Sequence, residues 1–292
     1  MRRTIVAKRS LGSMSLRPTR SVLYIPGSKE RALEKAKTLQ ADAIIFDLED
    51  AVALEEKVSA RALLRTTLAE EDYGARLKIA RINGLDTEWG VEDAKSVAHA
   101  DAVLLPKVGS MSDVDALAEL TPLPIWAMIE SPQGILNADE IAAHPRVAGF
   151  VMGTNDLAKD LGTRARADRL PLMSSLQMAL LAARAHGRIC IDGVYNAFRD
   201  DAGLRAECEQ GRDLGFDGKT LIHPLQLAIA NEVFAPSEDE LELSRRQIAA
   251  FEDAEAAGQG VAVVDGRIVE NLHIVPARAT IAKAEAIAAM GA

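Results

Sequence analysis

Eight short apolar runs punctuate the chain, at positions 21–25, 43–48, 77–82, 102–105, 125–129, 149–152, 189–191 and 219–222. Each is followed by a polar turn and, in most cases, by a segment with helical periodicity. Continuous apolar strands alternating with amphipathic helices predict a parallel sheet buried on both faces. Eight such units predict an α/β fold, the (β/α)8 TIM barrel. The runner-up, an open doubly wound sheet, lacks support because no Gly-x-Gly-x-x-Gly turn follows the first run, where Gly27 stands alone.

The intervening helices are legible in outline. Positions 29–40 place Ala32, Leu33, Ala36 and Leu39 on one stripe, and Leu172, Leu176, Leu180 and Ala183 repeat the pattern. After the eighth run, Ser237-Glu238-Asp239-Glu240 has the form of a capping box and predicts a helix to about Ala256, stopped by Gly258 and Gly260. Asp265-Gly266 between two β-prone runs predicts a two-residue hairpin, after which Pro276 is expected to open a terminal helix. The expected organisation is an N-terminal disordered extension over 1–19, a barrel over 20–235 and a helix–hairpin–helix extension over 236–292. This last segment is poorly placed to fold alone. It is expected to dock on a barrel, its own or a neighbouring subunit's, as a partial lid in an oligomer.

Composition narrows the classes. A chain of 292 residues can bury a sizeable core without metal or disulfide, and 48% hydrophobic residues with a net charge of -9 describe an ordinary acidic protein. That charge argues against nucleic acid as the main partner, although local basic clusters remain available for phosphates. Cys190 and Cys208 show neither ligand spacing nor a disulfide framework, which predicts buried, reduced thiols in a cytoplasmic protein. No apolar run approaches the roughly 18 residues of a membrane span. The first segment carries Arg2, Arg3, Lys8, Arg9 and Arg17 with no acid and no convincing apolar stretch, which argues against a secretory signal. A transit peptide fits that composition as an alternative, and Met14 has the look of a natural start.

Candidate chemistry gathers where apolar runs end. Glu130 and Asp156 each close such a run, and in a parallel barrel strand exits build the site. Two oxygen donors on one face suit Mg²⁺, which needs only one or two protein carboxylates. The alternative is that each acid merely caps the next helix. Arg81 ends the third run, where a fixed guanidinium can grip a carboxylate and steady oxyanion charge. Asp47, Glu49 and Asp50 form an acidic cluster expected to hydrogen-bond metal waters and to pair with Lys57 or Lys107. Strand seven is expected to add Asp192-Gly193-Val194 to the same bowl, and strand eight the turn from Lys219 to Pro224. Gly27-Ser28 with Lys29 and Lys35 suits an anionic ligand such as a nucleotide phosphate. His223 is a candidate donor at the barrel mouth, with a purely structural role as its alternative.

Taken together, Arg20-Ser21-Val22-Leu23-Tyr24-Ile25-Pro26-Gly27, Asp47-Leu48-Glu49-Asp50-Ala51-Val52, Arg81-Ile82-Asn83, Pro106-Lys107, Glu130-Ser131-Pro132-Gln133-Gly134 and the stretch from Gly218-Lys219 to Ile222-His223-Pro224 resemble the citrate lyase β-subunit-like branch of the HpcH/HpaI aldolase family. The resemblance covers about residues 20 to 285. Within the branch the chain is most similar to the malyl-CoA lyases and (3S)-malyl-CoA thioesterases. It implies a Mg²⁺-dependent TIM barrel acting on acyl-CoA esters of short hydroxy acids as a homotrimer or homohexamer. Carried over by position, it implies Glu130 and Asp156 as metal ligands and substrate contacts, Arg81 and Asn155 at the substrate, and Tyr24, Lys29, Lys35, Ile222 and His223 at CoA.

One position departs from that pattern. Lyases of the family place an aspartate in the C-terminal lid, and Glu270 stands there in this chain. The longer side chain moves its carboxylate by about 1 Å, enough to cost roughly 100-fold in a reaction governed by positioning. A carboxylate displaced in this way can instead meet a thioester carbonyl or position a water against it. The expectation is therefore hydrolysis of (3S)-malyl-CoA to malate and CoA, with Arg81 and Glu270 catalytic. Two alternatives remain open: carbon–carbon cleavage of malyl-CoA, β-methylmalyl-CoA or citramalyl-CoA, and a citrate lyase β-like subunit of a larger assembly.

Overall fold

The computed structural model describes residues 17–291, which divide into a barrel unit, residues 19–234, and a second unit made of the C-terminal residues 235–291 together with 17–18. Most of the expected N-terminal extension, including Met14, lies outside the described residues.

Eight parallel strands close into a barrel in chain order: β1 Ser21–Pro26, β2 Ala43–Asp47, β3 Leu77–Arg81, β4 Ala102–Leu105, β5 Ile125–Ile129, β6 Val147–Met152, β7 Ile189–Asp192 and β8 Gly218–Leu221. Strand β8 returns to β1, pairing Lys219 with Ser21 and Leu221 with Leu23. The fold is therefore the expected (β/α)8 barrel, and each apolar run became a strand.

Strand alternation splits the core into two layers. Val22, Ala43, Ile45, Leu77, Ile79, Ala102, Leu104, Trp126 and Met128 belong to one cluster, the filling of the barrel. Leu23, Ile44, Phe46, Ala80, Val103, Ala127 and Ile129, the alternate residues of the same strands, join the helix residues Leu33, Leu64, Leu117, Ile141 and Leu176 in another. Side chains two apart share a face of a strand. The inward series 43–45 thus continues to Asp47, 77–79 to Arg81, 126–128 to Glu130, and Val22 to Tyr24. Burying each large apolar side chain contributes roughly 1.5–3 kcal/mol, so this register holds firmly, and with it the direction of the polar residues at its end.

In the C-terminal unit, helix Glu238–Ala256 starts with the expected box: Glu240 N donates to Ser237 Oγ at 3.2 Å and Ser237 N to Glu240 Oε2 at 2.8 Å. Strands β9 Ala262–Val264 and β10 Arg267–Val269 form the hairpin. Asp265 and Gly266 both adopt positive φ, 50° and 71°, the backbone that a tight primed turn requires. Arg246 clamps the turn, its Nη1 and Nη2 donating to Asp265 at 2.7 and 2.9 Å. Phe251, Ala254, Ala262, Val264, Val269 and Ile274 make this unit's own small core.

The start of the terminal helix differs from expectation. It spans Asn271–Met290 with Pro276 inside it, not at its first position. Glu270 serves as N-cap, and its N–H donates to His273 Nδ1 at 3.0 Å. Local capping therefore extends the helix upstream of the proline by more than a turn, at the cost of the hydrogen bond that Pro276 cannot donate. No helix among the described residues is long and apolar enough to cross a membrane.

Candidate active site

Arg81 is the hub of the barrel mouth. Its Nε and Nη2 donate to the two oxygens of Asp47 at 2.7 and 2.6 Å, a forked pair with both side chains buried. Asp47 in turn accepts from Glu49 N at 2.9 Å and Ala51 N at 3.0 Å, which ties the loop after β2 to the same carboxylate. The remaining nitrogen, Nη1, lies 2.7 Å from Glu49 Oε2, 3.3 Å from Asp50 Oδ2 and 3.8 Å from Met128 Sδ. The Tyr24 ring covers the guanidinium at 4.9 Å, a cation–π contact. Burial opposes the charge on Arg81, but these acids outweigh it and hold the guanidinium pKa well above its ordinary value.

The acidic cluster pairs with Lys107, one of the two expected lysines, but its main partner is Arg81. Lys107 Nζ pairs with Glu49 at 3.5 Å. Lys57 bonds no carboxylate: its Nζ donates to the carbonyl oxygens of Leu48 and Glu49 at 2.9 and 2.6 Å. Arg81 takes these acids because β2 and β3 are neighbours in register, with Asp47 opposite Arg81. Adjacency across strands was invisible in the one-dimensional pattern. Its consequence is that the forked edge of Arg81 is already filled, leaving Nη1 as the edge nearer the loop acids.

Glu130 is almost fully buried, at 2% exposure, and its Oε1 accepts from Lys107 N at 2.6 Å. Lys107 delivers that N–H from a positive φ of 52°, a strained conformation for a residue with a side chain. Opposite, Gly153 leaves room for the carboxylate, since a Cβ there would lie 2.3 Å from Glu130 Cβ and 2.5 Å from Oε2. Burial first, then the neighbouring carboxylates Glu49 and Asp156, push the Glu130 carboxyl up to about 8, against the Lys107 N–H.

Asp156 lies in the first turn of helix Thr154–Asp160, directly after β6. It lines a cavity of about 290 Å³ together with Tyr24, Arg81, Gly153, Asn155 and Ile222. A carboxyl raised by burial and by two neighbouring carboxylates, which Arg81 offsets only in part, is a donor set that a divalent cation would stabilise. No group of three or more His, Cys, Asp or Glu side chains among the described residues is arranged to hold a metal. The donors present are therefore few and all oxygen, which fits Mg²⁺ and not a thiolate or imidazole site.

The other candidates are distributed around the mouth. Tyr24 has a buried hydroxyl with no hydrogen-bond partner, and burial drives its pKa well above the ordinary phenol value. Lys29 is exposed and engaged with Glu56, 3.1 Å from each carboxylate oxygen, and Lys35 is exposed on helix Glu30–Ala36. Asn155 exchanges amide hydrogen bonds with Asn196 at 2.8 and 3.3 Å. His223 accepts from Leu225 N through Nδ1 at 3.2 Å, leaving Nε2 as its donor, and stacks on Phe198 at 4.5 Å. Glu270 belongs to the C-terminal unit, where its side chain is exposed.

Two expected members of the bowl lie elsewhere. Asp192 and Lys219 are completely buried and paired at 3.0 Å, with Arg169 donating to Asp192 and Glu207 accepting from Lys219 at 2.6 Å. Ile189 and Ile191 fill the barrel, so Asp192 has outward parity and faces the helix layer. Parity along a four-residue strand was the signal that could have separated it from Glu130.

A closed eight-stranded barrel with paired acids, a clamped arginine and a glycine cradle at its C-terminal mouth defines a class, and the HpcH/HpaI aldolase/citrate lyase family, whose pattern matches residues 20–224, is the one to which this chain belongs. Within it, the chain is 69% identical over 278 residues to a (3S)-malyl-CoA thioesterase of Cereibacter sphaeroides, covering 94% of this chain and 98% of that protein. It is 36% identical over 307 residues to an L-malyl-CoA/beta-methylmalyl-CoA lyase of the same species, covering 94% and 96%. Among solved structures it is similar to CitE from Mycobacterium tuberculosis in complex with magnesium, acetoacetate and coenzyme A, with TM-score 0.79, 31% identity, and coverage of 92% of this chain and 99% of that one.

Proposed function

We propose that the chain hydrolyses (3S)-malyl-CoA to malate and free CoA at the barrel mouth. The observation that carries this reading is its 69% identity, across nearly the whole of both chains, with a protein of that activity, against 36% with a lyase acting on the same ester. Glu130 and Asp156 would hold Mg²⁺. When bound, the ion supplies Lewis-acid polarisation and a fixed anchor for substrate oxygens.

The chain's own groups do the rest. Arg81, kept charged and immobile by Asp47, meets substrate charge through Nη1 once that nitrogen is shared with or released by Glu49 and Asp50, and there it steadies an oxyanion. Asn155 orients the hydroxy acid, while Tyr24, Ile222 and His223 border the thioester carrier. Lys29 and Lys35 attract its phosphates, Lys29 after leaving Glu56. Water adds to the thioester carbonyl, the carbon–sulfur bond breaks, and the departing thiolate takes up a proton. Glu270 positions or deprotonates that water, in a homotrimer or homohexamer whose C-terminal unit reaches a neighbouring mouth.

Incubation of the purified protein with (3S)-malyl-CoA and Mg²⁺ is expected to yield malate and free thiol in equal amounts. Glyoxylate appearing in step with acetyl-CoA, without malate, makes the chain a lyase. Full activity in excess chelator removes the metal, and a monomer in sedimentation removes the shared lid.

A further inference from the structure

We propose that the barrel unit has a second anion site, beside the catalytic cavity and separate from it. A cavity of about 420 Å³ lies between the loop that precedes the turn Leu170–Leu172 and the exit of β7. In a chain of net charge -9 its wall carries three arginines, Arg164, Arg166 and Arg169, and one acid, Glu207. That acid is already neutralised, with Lys219 Nζ at 2.6 Å.

The arginines are not equivalent. Arg166 is satisfied by a fork to Asp168, at 2.8 and 2.6 Å. Arg169 is 6% exposed and is clamped by Gln210 through Nε and by Asp192 through Nη1, which leaves Nη2 without a hydrogen-bond partner. A buried guanidinium nitrogen with no acceptor is a donor that the protein itself does not satisfy, even though Asp192 at 2.7 Å and Glu207 at 3.7 Å from Nη1 balance the charge of Arg169. Arg164 is exposed and has no ion pair or hydrogen bond among the described residues. Thr154, Asn155, Tyr195 and Asn196 add neutral hydrogen-bonding groups to the same wall. Positive charge held in place, an unclaimed guanidinium and amides close by select a compact anion with several acceptor oxygens, a carboxylate or a phosphate.

The site is coupled to the catalytic cavity by shared walls. Thr154, Asn155, Val194 and Asn196 border both, and the reciprocal Asn155–Asn196 amide pair stands between them. An anion that takes an amide from this pair alters the turn that bears Asp156.

Calorimetric titration of wild type, R164A and R164K with L-malate, inorganic phosphate and CoA tests the site. Arg164 is exposed, so its removal leaves the fold intact, and a thermal melt verifies this. The expected result is a binding phase that weakens at least tenfold in R164A and is largely restored in R164K. If malate shows that phase, the ligand is a carboxylate; if phosphate and CoA show it, the ligand is a phosphate group. Identical titrations of wild type and R164A with all three overturn the proposal. A second arm rests on the hydrolase reading: malate inhibits wild type in mixed fashion and R164A only competitively. Purely competitive inhibition in both counts against the site, whereas absence of any hydrolysis removes the reading and leaves the calorimetry decisive.

Discussion

Replacing Gly153 with alanine is the sharpest probe of the mouth. The added Cβ would lie 2.3 Å from Glu130 Cβ, 2.5 Å from Glu130 Oε2 and 3.1 Å from Met128 Cε. Ordinary contact between such carbons is about 3.5–4.0 Å, so one side must yield by more than about 1 Å. Met128 and Glu130 are both buried, and Lys107 N pins Glu130 Oε1 at 2.6 Å, so the carboxylate has little freedom to retreat without breaking that bond. Overpacking of this kind costs about 1–3 kcal/mol of stability. A shift of about 1 Å in a positioned group costs on the order of 100-fold in rate. The assay follows CoA release with a thiol-reactive chromophore across a Mg²⁺ titration, alongside a thermal melt. G153A is expected to be folded, to need much more Mg²⁺ for half-maximal rate, and to turn over about 100-fold more slowly. A folded G153A whose rate and Mg²⁺ requirement match wild type within about twofold refutes the assignment of Glu130 to the metal.

Further predictions concern the clamp, the lid and the thiols. D47A leaves Arg81 buried without its forked partner and should lose about 3–5 kcal/mol in urea unfolding; a loss under about 1 kcal/mol means that Glu49 and Asp50 carry the guanidinium instead. E270A is expected to lower kcat by at least tenfold while leaving KM within about threefold, because its proposed role lies in the transition state; equal hydrolysis by both proteins rules that role out. Cys190 and Cys208 are both buried, burial raises both thiol pKa values, and that of Cys208 reaches about 12. Neither should react with a thiol reagent in the native protein within minutes, and both should react once it is unfolded.

The difference between Glu130 and Asp192 shows how much was legible beforehand. Both are acids that close an apolar run, and on sequence alone both are expected in the bowl. Glu130 continues the inward series of Trp126 and Met128, whereas Asp192 continues the outward series of Cys190. A run of five residues with continuous hydrophobicity hides this parity, since both faces of a barrel strand are apolar. Pro276 teaches a related lesson. A proline marks a favourable first helical position, but the cap at Glu270 set the start, and the helix accommodated the proline inside.

The sequence by itself determined the number and order of strands, the helices between them, the capped helix and hairpin of the C-terminal unit, and the strand-end positions where chemistry gathers. These follow from local periodicity and turn chemistry, which act over a few residues. Tertiary structure alone decided which acid holds which base. Asp47 faces Arg81 because β2 and β3 pair in register, Gly153 makes room for Glu130 because β5 and β6 are neighbours, and Arg169 crosses from a loop to lock Asp192. Such partners lie tens of residues apart, and only closure of the barrel brings them within hydrogen-bonding distance.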